Sequence, residues 1–249
     1  MRTVLACLLM WITPLVMAQQ QVETDSLKGR LVTIKTAIGT QFQGFVAGRL
    51  DAKQSILLLH DRWGLNSTMR QRVEAFAARG YRALAIDVFD GRASDEWALA
   101  TEILESADPE WVKSDVLAGV AYLQAPDRKV AVMGWGFGGW QTYQAALLAS
   151  DQVDAAIVWY APLYSNLQEA RTISAPLLGI FASRDAQVTP QMIGSYEGMM
   201  KKSRNVFRHY VYEADHGFAD PQYRRAFDER VVNEAWESVD RFLAAFVEE

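Results

Sequence analysis

Short apolar runs rich in β-branched residues alternate along the chain with stretches whose apolar positions recur at i, i+3 and i+4. This alternation predicts a mostly parallel sheet flanked by helices. The expected strands are Leu31–Thr36, Gln41–Ala47, Ser55–Leu59, Arg82–Ile86, Lys129–Met133, Ala155–Trp159, Leu177–Ala182 and Phe207–Tyr212. The expected helices are Thr68–Arg79, Ser94–Ser106, Val112–Leu123, Trp140–Ser150, Pro190–Lys202 and Phe227–Phe246. The first two strands, joined through Ile38-Gly39, pair most simply as a hairpin. The chain therefore reads as eight strands, one antiparallel entry followed by repeated βα units.

The N-terminus departs from this rhythm. Arg2 precedes an apolar run from Val4 to Ala18 that ends in Val16-Met17-Ala18 and gives way to the polar "QQQVETDSLKGR". A short apolar core closed by small residues at the cleavage positions is the pattern of a secretory signal peptide, and it falls short of the roughly 20 apolar residues that span a bilayer. The expectation is a signal peptide over 1–18, removal near Ala18, a periplasmic or secreted protein, and one α/β domain over 19–249. The only cysteine, Cys7, leaves with that leader. The mature protein then has no thiol for a disulfide, a nucleophile or a metal, and its core must hold it together. Net charge is −5 with no basic patch interleaved with aromatics, which argues against a nucleic-acid partner.

The chemistry concentrates in "KVAVMGWGFGGWQ", Lys129 to Gln141, which admits two readings. Gly134, Gly136 and Gly139 spell G-x-G-x-x-G, a dinucleotide loop. Gly134-Trp135-Gly136-Phe137-Gly138 is also the frame of a hydrolase nucleophile elbow, G-x-Nuc-x-G, with glycine in the nucleophile position. The dinucleotide reading fails on position: the loop follows the fifth expected strand instead of opening the first βα unit. The next strand ends in "VWYAP" with no acid for a ribose, Asp154 lying at its start. The elbow reading requires an acid and then a histidine, each on a loop after a later strand. Both are there: Asp185 in "SRDAQVTP" and His216 in "ADHGF".

These segments resemble the dienelactone hydrolases of the α/β-hydrolase superfamily. The likeness runs through "LLLHDRWGLN", "AIDVFDGR", "VAVMGWGFGG", "VDAAIVWYAP", "APLLGIFASRDAQVTP" and "YEADHGFADP" in the family's order and spacing. It implies an α/β-hydrolase fold, about eight mostly parallel strands in a twisted sheet with helices on both faces. It also implies that Asp185 and His216 are the acid and base, and that the backbone N–H groups of Phe137 and Arg62 form the oxyanion hole. Three departures stand out. Gly136 replaces the family's cysteine or serine, and Asp61 stands where the family has glutamate. Of two arginines that hold a substrate carboxylate in the family, Arg92 sits near one and Asp220 replaces the other, which disfavours a carboxylated dienelactone.

No other residue takes over the nucleophile's place. Ser67, Ser165 and Tyr164 are loop residues near the mouth, but only the elbow presents a side chain to histidine and oxyanion hole together. Two functions remain: a hydrolase of ester or lactone lineage whose activity is weak, water-mediated or lost, or a non-catalytic protein binding a small apolar ligand. The pocket is expected to be lined by Asp61, Trp63, Trp135, Phe137, Tyr160 and Arg92. No cofactor is expected, the partner is a small ester, lactone or apolar molecule, and no membrane contact is expected after signal removal.

Overall fold

The computed structural model describes residues 27–164 and 166–248; the expected leader over 1–18, Cys7 and Ser165 lie outside them. The strands are β1 Arg30–Lys35, β2 Gln41–Ala47, β3 Gln54–Leu59, β4 Arg82–Ile86, β5 Lys129–Trp135, β6 Ala155–Trp159, β7 Leu177–Ala182 and β8 Phe207–Tyr212. They form one sheet in the order β1-β2-β4-β3-β5-β6-β7-β8. β1 pairs antiparallel with β2, and β2 antiparallel with β4; every later pairing is parallel. The helices are α1 Ser67–Ala78, α2 Trp97–Glu105, α3 Pro109–Leu123, α4 Phe137–Leu148, α5 Leu167–Ala170, α6 Pro190–Ser203 and α7 Glu229–Phe246.

The central strands are continuous apolar runs because both of their faces are covered. On one face Leu57, Leu59, Val130, Val132 and Phe181 pack with Val116 and Val120 of α3, Tyr143 and Ala146 of α4, and Ile193 and Met200 of α6. On the other, Ile56, Leu58, Met133, Trp135 and Ile180 pack with Val73 and Phe76 of α1 and with Ala235, Val239 and Phe242 of α7. Helix starts are fixed locally by side-chain caps. The Asn66, Asp108, Thr189 and Asp228 side chains accept from backbone N–H groups of the first turns, with Pro109 and Pro190 opening two of these helices. α2 and α4 start without such a bond: the Glu96 side chain does not cap α2, and the cap of α4 is Gly136, which has no side chain to close it.

Four differences from the sequence expectation have local causes. β5 runs two residues further, to Trp135, because Gly134 and Trp135 keep pairing with Val158 and Trp159 of β6. α2 begins at Trp97 instead of Ser94, since Ser94 Oγ accepts from Glu96 N and bends the chain there. α3 begins three residues earlier, at Pro109, under the Asp108 cap. The short α5 escaped notice in the sequence because it spans only Leu167–Ala170 and is held by a capping box of Asn166 with Glu169. Among the described residues, no helix is long and apolar enough to cross a membrane.

Candidate active site

The site lies at the carboxyl ends of the parallel strands, where the loops after β3, β5, β7 and β8 converge. The turn from β5 into α4 carries Gly136 at φ 51° and ψ −112°. That left-handed conformation strains any residue with a Cβ, and glycine adopts it freely. Gly136 N is held by Trp159 O at 3.0 Å, so the turn is anchored to β6.

Two loops bring the acid and the histidine together. His216 Nδ1 lies 2.8 Å from Asp185 Oδ2. The acid is fully buried and the imidazole is 16% exposed. Asp185 Oδ1 accepts from Gln187 N at 2.7 Å and Val188 N at 3.1 Å, which fixes the carboxylate before it meets the ring. The imidazole is sandwiched edge-on between Tyr160, 5.1 Å away, and Tyr223, 5.8 Å away. Gly217 makes the second contact available, because a Cβ there would fall 2.4 Å from the Tyr223 ring.

The space above Gly136 is filled by Asp61. A Cβ built on Gly136 would lie 2.5 Å from Asp61 Oδ1 and 2.7 Å from Oδ2. Asp61 Oδ1 accepts from Arg62 N at 2.8 Å and from Phe137 N at 3.1 Å, the two backbone donors expected to form the oxyanion hole. Asp61 Oδ2 accepts from Tyr223 Oη at 2.6 Å. One side chain therefore occupies both the position a residue-136 side chain would take and the paired N–H groups beside it. Burial and the adjacent Asp61 charge push the Tyr223 phenol well above its ordinary pKa, so it stays a donor.

The Asp61 loop is braced from beneath. His60 Nδ1 lies 2.7 Å from Asp61 O, and Val88 N donates to His60 Nε2 at 3.3 Å, which assigns the proton to Nδ1. Burial lowers the His60 pKa, in keeping with a neutral ring. The Arg62 guanidinium lies 4.1 Å above the Trp97 ring, bonded to Thr101 Oγ1 at 3.0 Å, with its positive charge beside the Tyr223 phenol. Trp63 packs edge-on against Trp97 and Tyr223 at 5.7 and 5.3 Å. Beside these rings opens a cleft of about 420 Å³ lined by Trp63, Trp97, Gln222 and Tyr223 together with the charged Asp95, Glu96, Arg224 and Arg225.

Two residues expected in the pocket lie elsewhere. Trp135 is fully buried beneath the sheet, with Arg72 3.9 Å over its ring and Trp159 stacked at 6.0 Å. The two-residue extension of β5 aligns it with Ala131 and Met133 on the core face. Arg92 donates to Phe89 O and Ser106 Oγ, which commits its guanidinium to bracing the loop after β4. Tyr164, expected on a loop near the mouth, is an exposed residue packed on Trp140. Sequence reasoning missed Tyr223 and Arg72. Arg72, whose pKa burial lowers, donates to Ala219 O at 2.9 Å next to the buried Asp220. Burial raises the pKa of Asp220, with Arg72 and the N–H of Gln222 opposing.

An eight-stranded, mostly parallel sheet with helices on both faces, a glycine turn after β5, and an acid and histidine paired on later loops define an α/β-hydrolase. The signature of the Dienelactone hydrolase family matches residues 42–247, and the chain belongs to that family. A "Putative carboxymethylenebutenolidase" of Synechocystis sp. is 25% identical over 242 residues, covering 88% of this chain and 98% of its own. Among solved structures, a dienelactone hydrolase-like promiscuous phosphotriesterase from metagenomic libraries superposes with a TM-score of 0.76 at 18% identity, covering 88% of this chain and 99% of its own. An esterase of Pyrococcus furiosus superposes with a TM-score of 0.67 at 18% identity, covering 88% and 90%.

Proposed function

We propose that this chain is an exported small-molecule hydrolase of the ester and lactone lineage whose elbow carries no nucleophile. In this reading residues 1–18 direct export, Gly136 occupies the vacant nucleophile position, and His216, oriented by Asp185, activates water. The observation that carries the reading is the 2.8 Å contact between His216 Nδ1 and a carboxylate fixed by two backbone N–H groups. Such an arrangement leaves Nε2 as the base and has no evident structural purpose on a loop. The ligand is neutral, because the Asp61 carboxylate fills the space above Gly136, where a reacting carbonyl would be held, and would repel a carboxylate. Ester turnover is slow, since a substrate carbonyl reaches the N–H groups of Arg62 and Phe137 only when Asp61 withdraws.

A second reading, a binding protein, is favoured by that same occupancy: the donors that would hold a reacting oxygen are already satisfied. Hydrolysis of p-nitrophenyl acetate by the parent, His216→Ala and Asp185→Asn separates the two. A working base contributes about 10²–10⁴-fold, so both variants should fall well below the parent while remaining folded by circular dichroism. Equal rates in all three proteins would remove His216 as the base and leave the binding reading standing.

A further inference from the structure

We propose that Asp61 is itself the nucleophile of this site, its Oδ2 opening a neutral epoxide to form an ester that water activated by His216 then cleaves. This rests on the reading of His216 and Asp185 as the water-activating pair, and it adds the attacking atom and the substrate class. Carboxylates serve as covalent nucleophiles where a positioned group completes the second step.

The placement of the two carboxylate oxygens selects the substrate. Asp61 Oδ1 already holds both backbone donors, at 2.8 and 3.1 Å. If Oδ2 attacked an ester carbonyl, the new oxyanion would form on the substrate, out of reach of both backbone N–H groups, which Oδ1 already holds. Attack on a saturated carbon creates no such oxyanion. The oxygen expelled from an epoxide needs one acid, and Tyr223 Oη stands 2.6 Å from the attacking Oδ2. A second phenol, Tyr160, is fully buried against His216 and its hydroxyl has no hydrogen-bond partner among the described residues. An unpartnered buried hydroxyl at this point is a costly feature that a substrate oxygen would satisfy.

The steps balance. Oδ2 attacks one epoxide carbon, the ring C–O bond breaks, and the released alkoxide takes the Tyr223 proton, which solvent restores. His216 then removes a proton from water, and the hydroxide adds to Asp61 Cγ. The tetrahedral oxyanion develops on Oδ1, within the 2.7–3.1 Å donor range that an oxyanion hole requires. Collapse breaks Cγ–Oδ2, the departing diol oxygen takes the His216 proton, and Asp61 loses its own proton to solvent. The product keeps Oδ2, and Asp61 keeps the oxygen from water. The aromatic walls of the adjoining cleft, Trp63, Trp97 and Tyr223, suit an aryl-substituted epoxide.

Styrene oxide is the probe, used with the full chain in excess in heavy-oxygen water and followed through a single turnover. Trypsin digestion in ordinary water releases Gln54–Arg62, in which Asp61 is the only side-chain carboxylate. The expected result is heavy oxygen in that peptide and none in the first-turnover diol. His216→Gln should trap a styrene-oxide adduct on the same peptide, and Asp61→Asn should lower diol formation by about 10³-fold or more. Heavy oxygen in the diol with none in the peptide would overturn the proposal while leaving His216 as a water-activating base. No diol from the parent and no adduct on His216→Gln would also overturn it, and the ester assay on His216→Ala would still judge the broader reading separately.

Discussion

Gly136→Cys puts a thiol on the turn after β5, and the structure predicts that this change alone does not raise ester hydrolysis. Two costs arise. A Cβ at φ 51° strains the turn by about 1–3 kcal/mol. The same Cβ falls 2.5–2.7 Å from the Asp61 carboxyl, which must leave three hydrogen bonds. A hydrogen bond to a charged group contributes about 1.5–3 kcal/mol net, and partial replacement by water keeps the combined loss near 3–6 kcal/mol. That is a large share of a typical stability of about 5–15 kcal/mol. Asp61→Ala empties the slot without straining the turn, so in the double variant the thiol meets no carboxylate and the Arg62 and Phe137 N–H groups are free for a substrate oxygen. The expected coupling in stability is favourable by about 1–3 kcal/mol, and ester turnover of the double variant should exceed that of Gly136→Cys alone. Urea unfolding and p-nitrophenyl acetate hydrolysis on parent, both single variants and the double variant measure it. Additive stabilities within about 0.5 kcal/mol, with the single variant as active as the double, would refute the claim that Asp61 occupies this space in solution.

Two further outcomes follow from other parts of the molecule. Asp115 on α3 is largely buried, and burial, together with the Asp90 and Asp87 charges, pushes its pKa up to about 7 from an ordinary 3.8. The folded state then binds a proton that the unfolded state has released, so stability falls as pH rises from about 4 to about 7. Asp115→Asn should match the parent near pH 4 and exceed its Tm by a few degrees above pH 7; an offset independent of pH would count against a buried, uncharged Asp115. Gly217→Ala should cost about 1–3 kcal/mol, from φ 85° and a Cβ 2.4 Å from the Tyr223 ring. An unchanged urea midpoint would mean that the ring does not pack there.

The sheet was legible because its causes are local. Four consecutive apolar residues, as in "ILLL" or "ALAI", are satisfied only between two covering layers, and the strand limits differ from those read off the chain by a residue or two. The pairing of Asp185 with His216 was legible for a related reason, since loops after successive parallel strands must open on the same edge of the sheet. Trp135 was misplaced because ending β5 at Met133 leaves it on the loop, whereas the strand continues and its two-residue alternation sets Trp135 with Ala131 and Met133 on the core face. Tyr223 gave no signal, because the hydrogen bond that defines it joins residues 162 positions apart and nothing in "DPQYRRAFD" marks that tyrosine off from its polar neighbours.

Gly136 and Asp61 carry the largest lesson, because each is intelligible only through the other. On the chain, a glycine in the elbow reads as a loss, and Asp61 reads as a pocket residue standing where the resembled family has glutamate. In the folded protein they are two halves of one arrangement. A side chain at residue 136 and the Asp61 carboxyl cannot share the space, as the 2.5 Å approach to Oδ1 requires. Removing the Cβ lets Asp61 reach both backbone donors, and once it is there its charge is met by three hydrogen bonds inside a largely buried site. A buried carboxylate without such partners would cost several kcal/mol. Substitutions at residue 136 must therefore be judged by what they do to Asp61 first.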